Sequence, residues 1–199
     1  LGLYLHIPFC TVACSFCYCA KTDRFDRANM DTYLTNLQEE IESFGDIFSE
    51  STFTSVYFGG GTPSLLSPPA MRSLFNTLYS AFHVPDDTQV IFEGNPDSLS
   101  ANKIQILANE GKVTRLTVGV QTLDDTVQAL VRRYNKPEHV REAVESAREY
   151  GIKHVNCDLM AGMPKQTLDS FKKDLHFLLE LDPDSIHLNG YRPLPRTRL

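Results

Sequence analysis

Residues 3–19 read Leu-Tyr-Leu-His-Ile-Pro-Phe-Cys-Thr-Val-Ala-Cys-Ser-Phe-Cys-Tyr-Cys, a short alternating run that stops at a proline and empties into a cysteine loop. Leu3, Leu5 and Ile7 alternate with Tyr4 and His6, the period of a strand with one buried face, and Pro8 ends it because proline has no N–H for a ladder. Cys10, Cys14 and Cys17 follow with the spacing Cys-x3-Cys-x2-Cys, and Cys19 comes next. A loop this short can wrap several thiolates around one compact inorganic centre, and soft thiolates select iron–sulfur clusters, zinc or copper(I). Structural zinc sites usually pair two short hooks across a longer spacer; one crowded hook with no second hook downstream favours the cluster. Three protein thiolates leave one iron open to an outside ligand, whereas four close the cluster into an electron carrier. The part played by Cys19 therefore separates catalysis from simple electron transfer. The fifth cysteine, Cys157, lies beside an apolar strand and reads as a buried small hydrophobe.

Outward from that loop, strand and helix patterns alternate. Met30, Leu34, Leu37, Ile41, Phe44 and Phe48 recur at steps of three and four, the spacing that lines one face of a helix. Val56, Tyr57 and Phe58 form a second apolar run ending in Gly59-Gly60-Gly61-Thr62-Pro63; Ser67 then offers an N-cap ahead of Pro68 and a stripe of Met71, Leu74, Phe75, Leu78 and Phe82. Further strands are predicted at 90–93, 116–120, 155–159 and 185–188. Between them lie helical stripes carrying Ile104, Leu107 and Ala108; Val127, Leu130 and Val131; Val140, Ala143, Val144 and Ala147; and Phe171, Leu175 and Leu178. Strands separated mostly by helices predict a parallel sheet with right-handed crossovers, either a barrel or an open doubly wound sheet. The barrel-like arrangement is preferred, because the polar residues gather just after strand ends: the cysteine loop, the Gly59 loop, Glu93, Gln121, Asp158 and Asn189. One rim would hold the chemistry.

The chain has 199 residues, 42% hydrophobic and 22% charged, which suits one globular domain or a piece of a larger protein and excludes a disordered chain. It opens on Leu with a strand at once, so segments are expected to be missing at both ends. A net charge of -6 argues against a nucleic-acid partner. No run approaches the ~20 apolar residues of a membrane span, and the start lacks the features of a signal peptide, so a cytoplasmic address is expected.

Tyr4-Leu-His-Ile-Pro-Phe-Cys10-x3-Cys14-x-Phe16-Cys17-x-Cys19 resembles the radical S-adenosylmethionine (SAM) superfamily, and within it the oxygen-independent coproporphyrinogen III oxidase family. The resemblance continues through Gly59-Gly-Gly-Thr-Pro63, Glu93, Val118-Gly-Val-Gln121, the Arg132-Arg133 pair and Asp158-Leu-x-x-Gly162-x-Pro164-x-Gln166-Thr167. It implies an α/β fold, a partial six-stranded parallel (β/α)6 barrel open at one side, with residues 1–199 forming a radical SAM core domain truncated at both ends. It also implies that Cys10, Cys14 and Cys17 hold a [4Fe-4S] cluster whose fourth iron binds SAM, leaving Cys19 a non-ligand.

Glycines at 59–61 let the backbone approach a ligand closely, and their free N–H groups can bind a carboxylate; the Lys-Ser/Thr ending of a phosphate loop is absent. By resemblance Gly60, Gly61 and Thr62 contact SAM. Glu93 ends an apolar strand, where a carboxylate needs a polar partner such as ribose hydroxyls or an ammonium. Tyr4 and Phe16 resemble the family's aromatic contacts to SAM, and Tyr4 and Glu93 are the candidates for a catalytic part. Gln121, Arg133 and Asp158 match positions facing SAM, including a second copy of it, and Arg192 matches another cofactor-proximal position. Arg133 could clamp a carboxylate bidentately or, with Arg132, answer a helix dipole. His6 lies on the strand entering the loop and reads either as a neighbour of the cluster or as a satisfied structural histidine.

The resemblance implies that an electron from a reductant such as flavodoxin or ferredoxin enters the cluster and that SAM is cleaved to methionine and a 5'-deoxyadenosyl radical. The implied substrate is coproporphyrinogen III, two of whose propionates become vinyl groups in haem biosynthesis. Glu93-Gly-Asn-Pro96 instead resembles the haem-chaperone branch of the family, while Phe9 and the Cys17-x-Cys19 ending resemble the oxidases. A radical SAM methyltransferase is compatible with the same barrel, and an iron–sulfur electron carrier is the alternative of another class.

Overall fold

The computed structural model describes residues 1–22, 26–193 and 197. Its strands are β1 (Gly2–Ile7), β2 (Ser55–Gly60), β3 (Gln89–Gly94), β4 (Arg115–Gln121), β5 (His154–Ala161) and β6 (Ser185–Gly190). Its helices are α1 (Arg27–Ile47), α2 (Pro68–Ala81), α3 (Ala101–Asn109), α4 (Asp125–Val131), α5 (Pro137–Glu149) and α6 (Leu168–Leu181). The strands lie in sequence order, β1-β2-β3-β4-β5-β6, and every neighbouring pair is parallel. A doubly wound sheet would reverse its strand order at a switch point. This order never reverses, and among the described residues β1 and β6 are not joined, so the sheet is that of a barrel left open at one side.

The strand pleat divides the chain between two environments. Val56 and Phe58 on β2, Phe92 on β3, Leu116, Val118 and Val120 on β4, and Val155, Cys157 and Leu159 on β5 are essentially inaccessible and share one cluster with residues of α2, α3 and α5. Cys157 is thus the buried hydrophobe that its neighbours suggested. Residues at the alternate positions, among them Glu93, Thr117, Gly119 and Asp158, line a pocket on the other side.

The helix stripes differ from expectation where a local contact decides the rotation. On α1, Phe44 and Phe48 are 43% and 37% exposed, and Gly45 is buried instead. A Cβ at Gly45 would lie 3.0 Å from the Ala81 side chain and carbonyl, so close passage of α1 over the end of α2 turns the glycine inward and the two aromatics aside. On α4, Leu130 is 39% exposed while Gln128 is buried, its amide exchanging hydrogen bonds with the Asn135 backbone. On α6, Asp174 is buried and Phe171 and Leu175 are only partly so, because the Asp174 carboxylate accepts from the Thr122 hydroxyl at 2.7 Å and the Leu123 N–H at 3.1 Å. The N-cap at Ser67 forms as expected, accepting from the Ala70 N–H at 3.4 Å.

Phe58 sits between Phe75 and Phe92, with ring centroids 5.4 and 5.6 Å away. Phe58→Ala should lower the free energy of unfolding by about 3 to 5 kcal/mol, whereas Leu179→Ala, at a side chain 57% exposed, should change it by no more than about 0.5 kcal/mol, both read by urea titration.

Candidate active site

All the carboxyl-terminal strand ends of a one-way parallel sheet face the same rim. There the loops after β1 to β4 and the end of β5 enclose a pocket of about 180 Å³. The loop after β1 is closed at its base by paired backbone bonds, Cys10 N–H to Thr22 O at 3.1 Å and Thr22 N–H to Pro8 O at 2.7 Å. At its far side the Ser15 N–H and hydroxyl bond the Val131 and Leu130 carbonyls, both at 3.1 Å, which ties the loop to the end of α4. So held, Cys10, Cys14 and Cys17 all border the pocket, as does Phe16.

The three thiols differ electrostatically. Burial pushes the Cys10 thiol up, against a bond with the Thr62 hydroxyl at 3.5 Å. Cys17 is drawn down to about 5, chiefly by a hydrogen bond from the Cys19 side chain, and Lys21 adds to the effect. The same contact pushes the Cys19 thiol up. Among the described residues no three His, Cys, Asp or Glu side chains converge as a single metal ion would require. Thiols spread around one pocket suit a cluster, which meets its ligands at separate corners.

Beside Cys10, Gly60 has φ 112°, in the region open mainly to glycine. A Cβ at Gly61 would come within 2.6 Å of the Phe9 carbonyl oxygen, so glycine is required there for the two loops to pack backbone against backbone. Thr62 is buried and lines the same wall. Gln121 has φ 66°, at a register shift between β4 and β5, and borders the pocket.

Glu93 and Asp158 bring two carboxylates into this space, each with its pKa raised mainly by burial. The Tyr57 hydroxyl donates to Glu93, and the Asn156 amide donates to Asp158 at 2.7 Å. Arg133 is 8% exposed. It donates to Asn95 Oδ1 at 3.0 Å, to the Gly119 carbonyl and to Cys14 Sγ at 3.4 Å, while its Nε–H is buried without a partner. Arg132, in the left-handed region at φ 59° just past α4, turns the chain so that Arg133 points inward.

Two of the expected residues stand apart from the pocket. Tyr4 is 57% exposed, its hydroxyl 3.0 Å from His6 Nδ1 and its ring beside that of Tyr57, so it approaches the site only through Tyr57. Arg192 is exposed beyond the edge strand β6, where Tyr191 N–H bonds the Ala161 carbonyl, and it does not line the pocket; Asn189 is likewise exposed. His6 is satisfied structurally, by Tyr4 and by the Ala20 carbonyl at 2.8 Å. Conversely, Lys21, Asn95 and Tyr57 belong to the site and were not anticipated. Asn95 follows Glu93 by two residues at the same strand end, a placement that could have flagged it.

The family model of the radical SAM superfamily matches residues 4–178. The chain belongs to the radical SAM superfamily. The oxygen-independent coproporphyrinogen III oxidase of Pseudomonas aeruginosa is 37% identical over 198 residues, a match covering 98% of this chain and 43% of that protein. Heme chaperone HemW of Haemophilus influenzae is 32% identical over 197 residues, covering 96% of this chain and 50% of that protein. The solved structure of coproporphyrinogen III oxidase (HemN) from Escherichia coli, a radical SAM enzyme, superposes with a TM-score of 0.90 at 35% identity over 98% of this chain and 44% of that one. The chain thus spans half or less of the length of these relatives. Radical SAM proteins work with a [4Fe-4S] cluster and SAM, and the donor set of the pocket fits both: three separate thiols and, around the same space, the turn at 60–62, two carboxylates and a buried guanidinium with a free N–H.

The raised carboxylates carry a stability consequence. A carboxyl group whose folded pKa lies above its unfolded value destabilises the fold once the unfolded chain ionises. The effect is absent below the ordinary value and grows as pH rises through the folded one. Glu93→Gln and Asp158→Asn should therefore each be more stable than the parent at pH 7, with the advantage shrinking as pH falls toward 4, measured by urea titration across that range.

Proposed function

We propose that this chain carries the SAM-cleaving core of a coproporphyrinogen III oxidase-like enzyme. One observation supports it above others: a single pocket gathers Cys10, Cys14 and Cys17 with Gly60, Gly61 and Thr62, Glu93, Gln121, Arg133 and Asp158, residues from every strand end between β1 and β5. When bound, the cluster and SAM supply one-electron reductive cleavage and a carbon radical able to take hydrogen from substrate. The electron comes from a small carrier such as flavodoxin or ferredoxin.

In this reading Cys10, Cys14 and Cys17 hold the cluster, and Cys19 stays outside it as a thiol donating to the Cys17 sulfur. The backbone of Gly60 and Gly61 and the Thr62 hydroxyl receive the amino-acid part of SAM, and the unpaired Arg133 Nε–H is the donor free for its carboxylate. Glu93, steadied by Tyr57, accepts from the ammonium or ribose, while Gln121 and Asp158 face the adenosine side or a second SAM. Phe16 covers the ligand with an apolar ring, and Tyr4 acts at one remove by supporting Tyr57.

Haem carriage is the second reading. It is favoured by Glu93-Gly-Asn-Pro96 and by the 32% identity to Heme chaperone HemW.

Anaerobic reconstitution of the whole protein with iron and sulfide, followed by dithionite and SAM, should yield 5'-deoxyadenosine. Cys10→Ala, Cys14→Ala and Cys17→Ala should each lose the cluster absorbance and the product, while Cys19→Ala keeps the cluster. Loss of the cluster in Cys19→Ala would instead point to a four-thiolate electron carrier. Carbon dioxide release and vinyl product from coproporphyrinogen III support the oxidase; tight haem binding without turnover supports the carrier of haem.

A further inference from the structure

We propose that Arg133 sets the reduction potential of the cluster by donating an N–H···S hydrogen bond to the Cys14 sulfur. The inference rests on the reading of Cys14 as a cluster ligand. It concerns the Nη1 end of the guanidinium, not the Nε–H that faces SAM.

Arg133 Nη1 lies 3.4 Å from Cys14 Sγ. Its other partners, Asn95 Oδ1 and the Gly119 carbonyl, are neutral. Among the described residues no carboxylate lies within ion-pair distance of Arg133, although the side chain is only 8% exposed. A buried cation with no carboxylate in direct contact is costly, Asp158 acting on it only through space, and the sulfur is the one direct partner here that becomes anionic on binding metal. The contact is held from several sides: Arg133 N–H bonds the Gln128 carbonyl at 2.9 Å, Asn135 bonds the Val120 carbonyl at 2.8 Å, and Ser15 ties the cysteine loop to α4. The donor is therefore positioned by contacts that involve no metal.

Reduction adds one electron, and so one negative charge, to the cluster; no bond is made or broken. A charge-assisted hydrogen bond to a ligand sulfur withdraws electron density and favours that more negative state, and bonds of this kind are among the factors that set iron–sulfur potentials. Lys21 provides the contrast. It too is a cation at the pocket, but its Nζ donates to the Cys17 carbonyl oxygen at 3.1 Å and also draws the Cys17 thiol down, so its contact is shared between oxygen and sulfur.

The test is an anaerobic redox titration of the reconstituted protein without SAM, using dithionite as the electron source and following the reduced cluster by electron paramagnetic resonance, with iron content measured on each sample. Arg133→Met should make the cluster at least tenfold harder to reduce, a fall of about 59 mV for one electron. Lys21→Met should shift it less than half as far. An unchanged potential in a fully loaded Arg133→Met protein overturns the proposal, and equal shifts in the two variants overturn it in favour of charge acting through space. If Arg133→Met holds no cluster, the milder Arg133→Gln is titrated in its place: a threefold change, about 28 mV, is expected, and no change overturns the proposal. Absence of a cluster from the parent protein, or its survival in Cys14→Ala, is a failure of the ligand assignment and is seen in iron content before any potential is read.

Discussion

A strand's side chains alternate, and every strand here runs the same way, so the molecule is divided twice. The pleat sends Val155, Cys157 and Leu159 to the helices and Asp158 to the pocket, and the common direction brings each polar strand end to one rim. Slipping β3 or β5 by one residue would put an apolar side chain into the pocket and a carboxylate under a helix. The apolar core and the polar site are therefore two faces of one specification.

That arrangement concentrates desolvated charge. Glu93 and Asp158 resist ionisation because water is scarce around them, and Arg133 keeps its charge among neutral partners. Each is unfavourable alone. Together they bring carboxylates and a guanidinium of opposite sign into one pocket beside the three cysteines. Arg133 has a second role in the frame, since its partners come from the loops after β1 and β3 and from β4 itself. Of the left-handed non-glycine residues, Gln121 and Arg132 lie at this rim, whereas Lys112 and Asp182 lie at the amino-terminal ends of β4 and β6.

The strands were legible because period two over a few residues, bounded by proline, glycine or charge, has few other meanings. The cysteine spacing and the glycine run were legible for the same reason. Helix rotation was not, since it is decided by single contacts across the fold. Gly45 against Ala81 turns Phe44 outward, and the bond from Thr122 to Asp174 turns Phe171 and Leu175 partly aside. Most of the pocket residues found by resemblance do meet in space. Lys21, Asn95 and Tyr57 escaped because a lone polar residue has no periodic signature, and Tyr4 and Arg192 show that a position in a motif does not fix where a side chain ends. The choice between carboxylate clamp and helix-end cation at Arg133 required the turn at Arg132, which no pattern in the chain announces.

The cysteine loop is knotted to the barrel by hydrogen bonds that involve no sulfur: its base by the strand-like pair at Cys10 and Thr22, its flank by Ser15 on the end of α4. The large apolar cluster beneath it closes without the thiols of Cys14 and Cys17. Small zinc domains, by contrast, fold only as they take up metal. Here the ties that aim the three sulfurs are backbone and serine-hydroxyl contacts, so a cysteine can be exchanged for alanine without cutting any of them.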